Sequence, residues 1–275
     1  MPELPEVETV ARGLSTRVTG DVIESVWLGS KPEPLKSSAA EIAATLEGKK
    51  ITGVRRVGKH VVIDLEPARA KSRKARAASA QWIVHLGMTG RLLVCSPQTE
   101  KAKHTHAVAS LASGREIRFV DPRRFGRLSV AHGFEAPGTE PLEVELERFV
   151  KLFRGRNTPI KSALLNQKLL SGVGNIYADE SLFRAGVRPR RKARSLTQEQ
   201  LRKLFLAVQT VLKEAIAAGG SSISDYVDAD GEAGFFQIQH RVYGREGQPC
   251  LVCKTPIKRI VLAGRSSHYC SKCQS

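Results

Sequence analysis

The chain has 275 residues, 41% of them apolar, with 44 lysines and arginines against 27 aspartates and glutamates, a formal net charge of +17. That length suits two ordinary domains or one with appendages, and the apolar share is enough for real cores. No run approaches the roughly 18 consecutive apolar residues of a membrane span and the acidic, proline-bearing start is unlike a signal peptide, so a soluble, cytoplasmic chain with a polyanionic partner is expected.

The opening, MPELPEVETVARGL, predicts a helix. Pro5 suits a first turn, Glu6 and Glu8 suit the positive end of the helix dipole, and Val7, Val10, Ala11 and Leu14 make one buried stripe. Pro2 and Glu3 have no part in that account. Short β-type segments follow at Val22–Leu28, Lys50–Val57, His60–Leu65, Gln81–Leu86, Arg91–Cys95, Ala107–Leu111, Glu116–Val120 and Gly126–Val130. Glycines and prolines separate them at short spacing, which predicts an antiparallel sandwich or barrel. Between two of the strands, PARAKSRKARAASA (residues 67–80) carries five basic residues and no acidic one, and it reads as a loop. HGFEAPGTEPLEVE reads as a linker, after which the period turns helical at Glu143–Phe153, Ile160–Leu170, Ile176–Ala185 and Thr197–Ala218.

Near the C-terminus, Cys250, Cys253, Cys270 and Cys273 stand in a C-x2-C-x16-C-x2-C pattern. That is the spacing of two knuckles presenting four thiolates to one tetrahedral Zn2+, a closed structural site. Disulfides are the alternative and do not suit a cytosolic chain. The loop between the knuckles holds Lys254, Lys258, Arg259 and Arg265 and no acid, a surface fit for phosphate. In SGVGNIYADE two glycines permit a tight turn before Asn175, at the start of a helix whose N–H groups can receive a phosphate or simply be capped. HLGMTG and DPRRFG set Met88, Arg123 and Phe125 beside glycine turns. Such side chains fill a base stack when a nucleotide is extruded; core packing is the blander reading.

Together PELPEVET, the Gly-Lys pair at Lys59, HLGMTG, KHTH, DPRRFG, GVGNIYADESLF, VYGREGQPC and RSSHYCSKCQ occur in an order that resembles the bacterial formamidopyrimidine-DNA glycosylases, also called 8-oxoguanine DNA glycosylases, from end to end. The sister endonuclease VIII group shares the Pro-Glu start but usually has glycine where this chain has Leu4, and plant relatives generally lack the zinc knuckles. The resemblance implies an α+β, multidomain fold: an N-terminal antiparallel β-sandwich with flanking helices (1–134), a helical H2TH module with a lesion-capping loop around Ser221–Gly234 (135–234) and a C-terminal zinc finger (235–275).

It also implies a bifunctional base-excision repair glycosylase and abasic-site lyase that acts on damaged double-stranded DNA as a monomer with one structural zinc. Pro2, freed of Met1, would be the nucleophile, passing through an iminium to β,δ-elimination. Glu3 would protonate the opening sugar and Glu6 would help hold the terminus. Lys59 and Arg265 would assist the two eliminations at phosphate. Met88, Arg123 and Phe125 would fill the gap left by the flipped nucleotide, and His104, Arg156, Lys161 and Asn175 would hold phosphates, with capping of the turn as the alternative for the last two. The stretch 67–80 has no counterpart in compact members, and His60 stands where tyrosine is common. A DNA-binding zinc-ribbon protein without catalysis is the competing reading.

Overall fold

The computed structural model describes residues 1–68, 80–221, 229–232 and 234–275, which fall into two compact units. The first joins Met1–Glu135 with Gly219–Gly234, and the second joins Ala136–Ala218 with Phe235–Ser275. Nearly all of the basic stretch 67–80 and the centre of the 221–234 segment lie outside the described residues.

The first unit begins with α1 (Leu4–Val18), which has proline in its first turn, Glu6 at its positive end and Arg17 in its last turn. Leu4, Val7, Val10, Ala11, Leu14 and Val18 form its buried stripe. The strands are β1 (Ile23–Leu28), β2 (Lys49–Val57), β3 (His60–Pro67), β4 (Ala80–His85), β5 (Arg91–Cys95), β6 (Thr105–Leu111), β7 (Glu116–Val120) and β8 (Arg127–Ala131). They make two four-stranded sheets of order β2-β3-β4-β8 and β1-β6-β7-β5, in which every pairing is antiparallel. One apolar core takes Val61, Ile63, Trp82 and Val84 from one sheet, Ile23, Ala109, Ile117 and Phe119 from the other, and the stripe of α1. A fully buried aromatic or aliphatic side chain of this kind contributes about 1.5–3 kcal/mol, so the two sheets and α1 hold one another in place.

Every expected strand forms, with ends shifted by at most two residues. A short helix not foreseen, α2 (Ala39–Leu46), crosses between β1 and β2. Its start carries Ser38 followed three residues later by Glu41, and Ser38 Oγ accepts from Glu41 N at 3.1 Å.

The second unit contains α3 (Leu146–Phe153), α4 (Ile160–Leu164), α5 (Asn175–Arg184), α6 (Gln198–Ala217) and the hairpin of β9 (Lys258–Leu262) and β10 (Arg265–Tyr269). Thr197 and Gln200 cap α6 reciprocally, at 3.2 and 3.1 Å. The helix expected over Ile160–Leu170 ends at Leu164. Beyond it, backbone turn bonds converge on Asn166 O from Leu169 N and Leu170 N, and side chains add to them: Asn166 Oδ1 accepts from Lys168 N at 3.0 Å, and Gln167 bonds Leu165 O, Val173 O and Gly172 N. Among the described residues no helix is long and apolar enough to cross a membrane.

Candidate active site and nucleic-acid interface

The N-terminus is gripped by its own helix. Glu3 caps α1 in an extended conformation, and its N–H donates to Glu6 Oε2 at 2.7 Å. The other oxygen of Glu6 accepts from Ser221 N at 2.8 Å, so one buried carboxylate holds the terminal backbone and the start of the 221–234 segment together. Gly220 has φ +83°, and a Cβ there would lie 3.0 Å from Glu6 Cγ and Oε1, so glycine is required for this approach. Pro2 and Glu3 (4% exposed) are buried, while Met1 is open to solvent.

Lys59 (9% exposed) sits in the two-residue turn Gly58-Lys59 between β2 and β3, where Val57 pairs with His60. Gly58 has φ +61°, as such a hairpin turn needs. Arg56, almost buried, donates from Nη1 to Gly58 O at 3.1 Å and from Nε to Glu8 Oε2 at 2.8 Å. This bridge ties the Lys59 turn to α1, and it has no local signature that a sequence reading would find.

Met88, Arg123 and Phe125 come together on two interlocked turns. A Cβ on Gly87 (φ +66°) would stand 2.4 Å from Gly126 N and 2.5 Å from Phe125 C, so the HLGMTG and DPRRFG backbones touch. Asp121, fully buried, staples both turns: it accepts from Thr89 Oγ1, from Arg123 N at 3.2 Å and from Gly126 N at 2.7 Å. Its backbone accepts from His106 Nε2 at 3.0 Å, and its N–H donates to the carbonyl of exposed His104 at 2.9 Å. Arg124 between the two named residues has φ +56°, a strained setting that turns Arg123 and Phe125 outward. Met88 is 39% and Phe125 51% exposed, and the Arg123 guanidinium lies 4.9 Å from the Phe125 ring centre. Large apolar side chains left open on a braced platform suit insertion between bases.

Behind this platform stands His85, paired across the strands with His60 at 4.9 Å between ring centres. Burial first, then the positive surroundings of His60, Arg127 and Lys59, push its pKa down to about 4. It is therefore neutral at physiological pH, and its Nδ1 accepts from Gly87 N at 3.1 Å. That bond supports the Met88 turn and fixes the ring proton on Nε2.

In the second unit Asn175 opens α5 and donates from Nδ2 to Ser266 Oγ at 3.3 Å, while its buried Oδ1 has no protein donor. Lys161 is 1% exposed, with Nζ 2.7 Å from Asp179 Oδ1 and donating to Ser266 O. Asp179 Oδ2 accepts from His268 N at 2.9 Å. In this geometry Lys161 has a structural role, joining α4, α5 and β10, and presents no ammonium to an outside phosphate. The neighbouring Glu180, also buried, accepts from the N–H groups of Arg241, Val242 and Tyr243 at 2.8–3.1 Å. Burial pushes its pKa up, opposed by these three bonds. The consecutive acids of GNIYADE thus pin the zinc hairpin and the segment leading to it. Arg156 is exposed, with Nε on Leu152 O at 2.5 Å, and Arg265 is exposed immediately after the β9–β10 turn, where Ala263 and Gly264 both have positive φ.

The sulfurs of Cys250, Cys253, Cys270 and Cys273 all lie within 4.8 Å of one another, with 3.9 Å between Cys250 and Cys273 and 3.4 Å between Cys253 and Cys270. Thiolates about 2.3 Å from a tetrahedral Zn2+ stand about 3.8 Å apart, so the four fit a single ion and form no open ligand position. Arg188 donates to Gln274 O and Ser271 O, and Gln274 Nε2 donates to Val187 O, so the second knuckle is fastened to the chain after α5.

Three family profiles match in order: formamidopyrimidine-DNA glycosylase N-terminal domain over residues 1–128, formamidopyrimidine-DNA glycosylase H2TH domain over 137–227, and the zinc finger found in FPG and IleRS over 247–275. The formamidopyrimidine-DNA glycosylase of Solibacter usitatus is 44% identical over 100% of this chain and 99% of its own, and that of Roseobacter denitrificans 41% over 100% of both. Among solved structures, the MutM (Fpg) protein of Thermus thermophilus superposes with a TM-score of 0.85 at 41% identity, covering 99% of this chain and 98% of that one. The Lactococcus lactis Fpg solved with DNA containing an abasic site superposes at 0.87 and 30% identity, covering 99% of both. With the relatives matching over the full chain, and with the four clustered cysteines as the zinc finger's donor set, this protein belongs to the formamidopyrimidine-DNA glycosylase family.

Proposed function

We propose that this chain removes oxidised purines, 8-oxoguanine and formamidopyrimidines, from double-stranded DNA as a monomer and then cuts the strand at the abasic site. The observation that carries the reading is the N-terminus: Pro2 lies buried at the head of α1 beside Glu3, with the adjoining backbone held by Glu6. Removal of Met1 turns the Pro2 nitrogen from an amide into a secondary amine. An α-amino group has a reference pKa of about 8 and is partly neutral at cellular pH, hence nucleophilic.

The amine attacks the sugar C1′, a C–N bond forms, and the bond from C1′ to the base breaks with the electron pair leaving on the base. The Pro2 nitrogen loses its proton to solvent, Glu3 gives a proton to the ring oxygen as the C1′–O4′ bond breaks, and the nitrogen pair freed by that deprotonation completes a cationic iminium. Loss of a C2′ proton delivers electrons into that cation and breaks the C–O bond to the 3′ phosphate; a second elimination releases the 5′ phosphate, and water frees Pro2. Lys59 and Arg265 supply cations to the departing phosphates. Met88 and Phe125 occupy the vacated stack, and Arg123 meets the orphaned base. His104, Arg156 and Asn175 serve as phosphate contacts; Lys161 acts through Ser266, whose carbonyl it bonds and whose hydroxyl accepts from Asn175. Cys250, Cys253, Cys270 and Cys273 would hold a zinc ion with no open ligand position, which would shape the hairpin that carries Arg265 and supply no chemistry to the reaction.

The discriminating experiment gives the processed protein duplexes with 8-oxoguanine opposite cytosine or with thymine glycol, and measures free base and strand nicks. Faster release of 8-oxoguanine with nicking on both sides of the sugar is expected. Preference for thymine glycol contradicts the substrate assignment, and binding without base release favours a zinc-ribbon DNA binder instead.

A further inference from the structure

The second unit carries a cationic surface that the proposed chemistry, Arg156 apart, does not use. It is built from RGRNT (154–158), after α3, and RPRRKAR (188–194), after α5. Backbone bonds join the two segments: Arg194 N to Arg156 O at 2.9 Å, Ala193 N to Thr158 O at 3.0 Å, and Ile160 N to Arg191 O at 2.7 Å. Pro159 and Lys192 form an isolated antiparallel bridge. Pro189 and Ala193 turn inward, while Arg154, Arg156, Arg190, Lys192 and Arg194 are exposed.

No acidic residue stands between Glu147 and Asp179, nor between Glu180 and Glu199. Among the described residues none of the five exposed cations is ion-paired, although nearby Arg184 pairs with Glu214 and Arg202 with Glu199. Arg154 ends α3, where the helix dipole favours a cation. Arg156 bonds the carbonyl of Leu152 in that helix, and among the described residues Arg190, Lys192 and Arg194 make no ion pair, so backbone pairing holds like charges side by side. Neither segment exposes an aromatic or large apolar side chain of the kind that anchors a protein partner. Clustered guanidiniums without such an anchor match the phosphate backbone of nucleic acid, which is bound by charge and forked hydrogen bonds.

We infer that this surface is a second phosphate-binding face, which engages the backbone of duplex DNA outside the damaged nucleotide and lengthens the tract of DNA that the protein holds. The inference rests on the DNA reading above. Its test compares wild type with the triple variants R190E/K192E/R194E and R190Q/K192Q/R194Q, none of whose positions serves the proposed chemistry. Binding to 8-oxoguanine duplexes of about 12 and about 30 base pairs is measured across a salt series, since each phosphate contact contributes about 0.9 to the slope of log affinity against log salt. The expected result is a steeper slope for wild type on the long duplex, a slope lower by about 2–3 and affinity about 10- to 100-fold weaker for the Glu variant there, and intermediate values for the Gln variant. Excision from the short duplex and zinc content stay unchanged.

Equal slopes for wild type and both variants on the long duplex overturn the inference. Loss of poly-glutamate binding with an unchanged DNA slope also overturns it, in favour of an acidic protein partner. Should the Glu variant misfold, the Gln variant decides by the same slope. Failure of wild type to excise from the short duplex removes the catalytic reading, while the slope difference still reports on the face.

Discussion

The carboxylate of Glu6 accepts from Glu3 N and Ser221 N, and that of Asp121 accepts from three donors in two turns. Both are buried acids whose worth lies in donors that would otherwise go unsatisfied, at about 1–3 kcal/mol each. Asp179 and Glu180 work in the same way, and Arg56 is their donor counterpart, bonding Glu8 and Gly58 O. The long-range partnerships, Glu6 with Ser221, Asp121 with Thr89, Asp179 with His268, Glu180 with 241–243 and Arg56 with Glu8, leave no periodic or spacing signal in the sequence, whereas Glu3 with Glu6 is a capping pair three residues apart. The four cysteines were legible because the donor set of a zinc site depends on local spacing, while the roles given to Pro2 and Glu3 rest on the resemblance. At this scale His85 makes a pH prediction. Its folded pKa of about 4 lies below the unfolded value of about 6.5, so between those limits the unfolded chain binds the extra proton. The stability it contributes is complete above about pH 6.5 and is lost as pH falls towards about 4. His240, lowered by burial to about 4 in the second unit, acts in the same direction. Urea unfolding should therefore show stability declining by a few kcal/mol over that window, with a shallower decline in His85→Asn; a flat profile in the wild type would refute the buried-neutral assignment.

Elements position the side chains that elements alone do not explain. The strands were readable because short β-branched runs alternate with glycine and proline turns, and β5 and β7 fall on the expected residues. Helix α4 stopped early because turn bonds to Asn166 O, with the Asn166 and Gln167 side chains, outcompete the ladder, a contest that apolar periodicity does not register. Helix α2 carries its cap signal in Ser38 and Glu41, but over eight residues it buries only Ile42 and Leu46, too short a stripe to show helical period. The contact between the HLGMTG and DPRRFG turns has a direct test in Gly87→Ala. The added methyl meets Gly126 N and Phe125 C well inside contact distance at a backbone angle that alanine resists. The variant should lose about 2 kcal/mol or more of stability and excise 8-oxoguanine at least about tenfold more slowly, with zinc content intact. Wild-type excision rates in Gly87→Ala would mean that the two turns need not move as one body.

Across the whole molecule, the charge of +17 announces a polyanionic partner and the order of motifs announces the family from sequence alone. The charge did not reveal its distribution: the face made by 154–158 and 188–194 is assembled by backbone pairing between segments distant in the chain. What unites the molecule is a single chemical claim, that a proline amine exposed by removal of Met1 becomes joined to the sugar of a damaged nucleotide. Borohydride reduction of the adduct during turnover tests it most directly. Protein lacking Met1, mixed with an 8-oxoguanine duplex and borohydride, should give a covalent complex whose DNA remnant maps by mass spectrometry to Pro2, and Met1-bearing protein should give none. A complex carried on another residue, or one formed equally well by protein that retains Met1, would contradict the account.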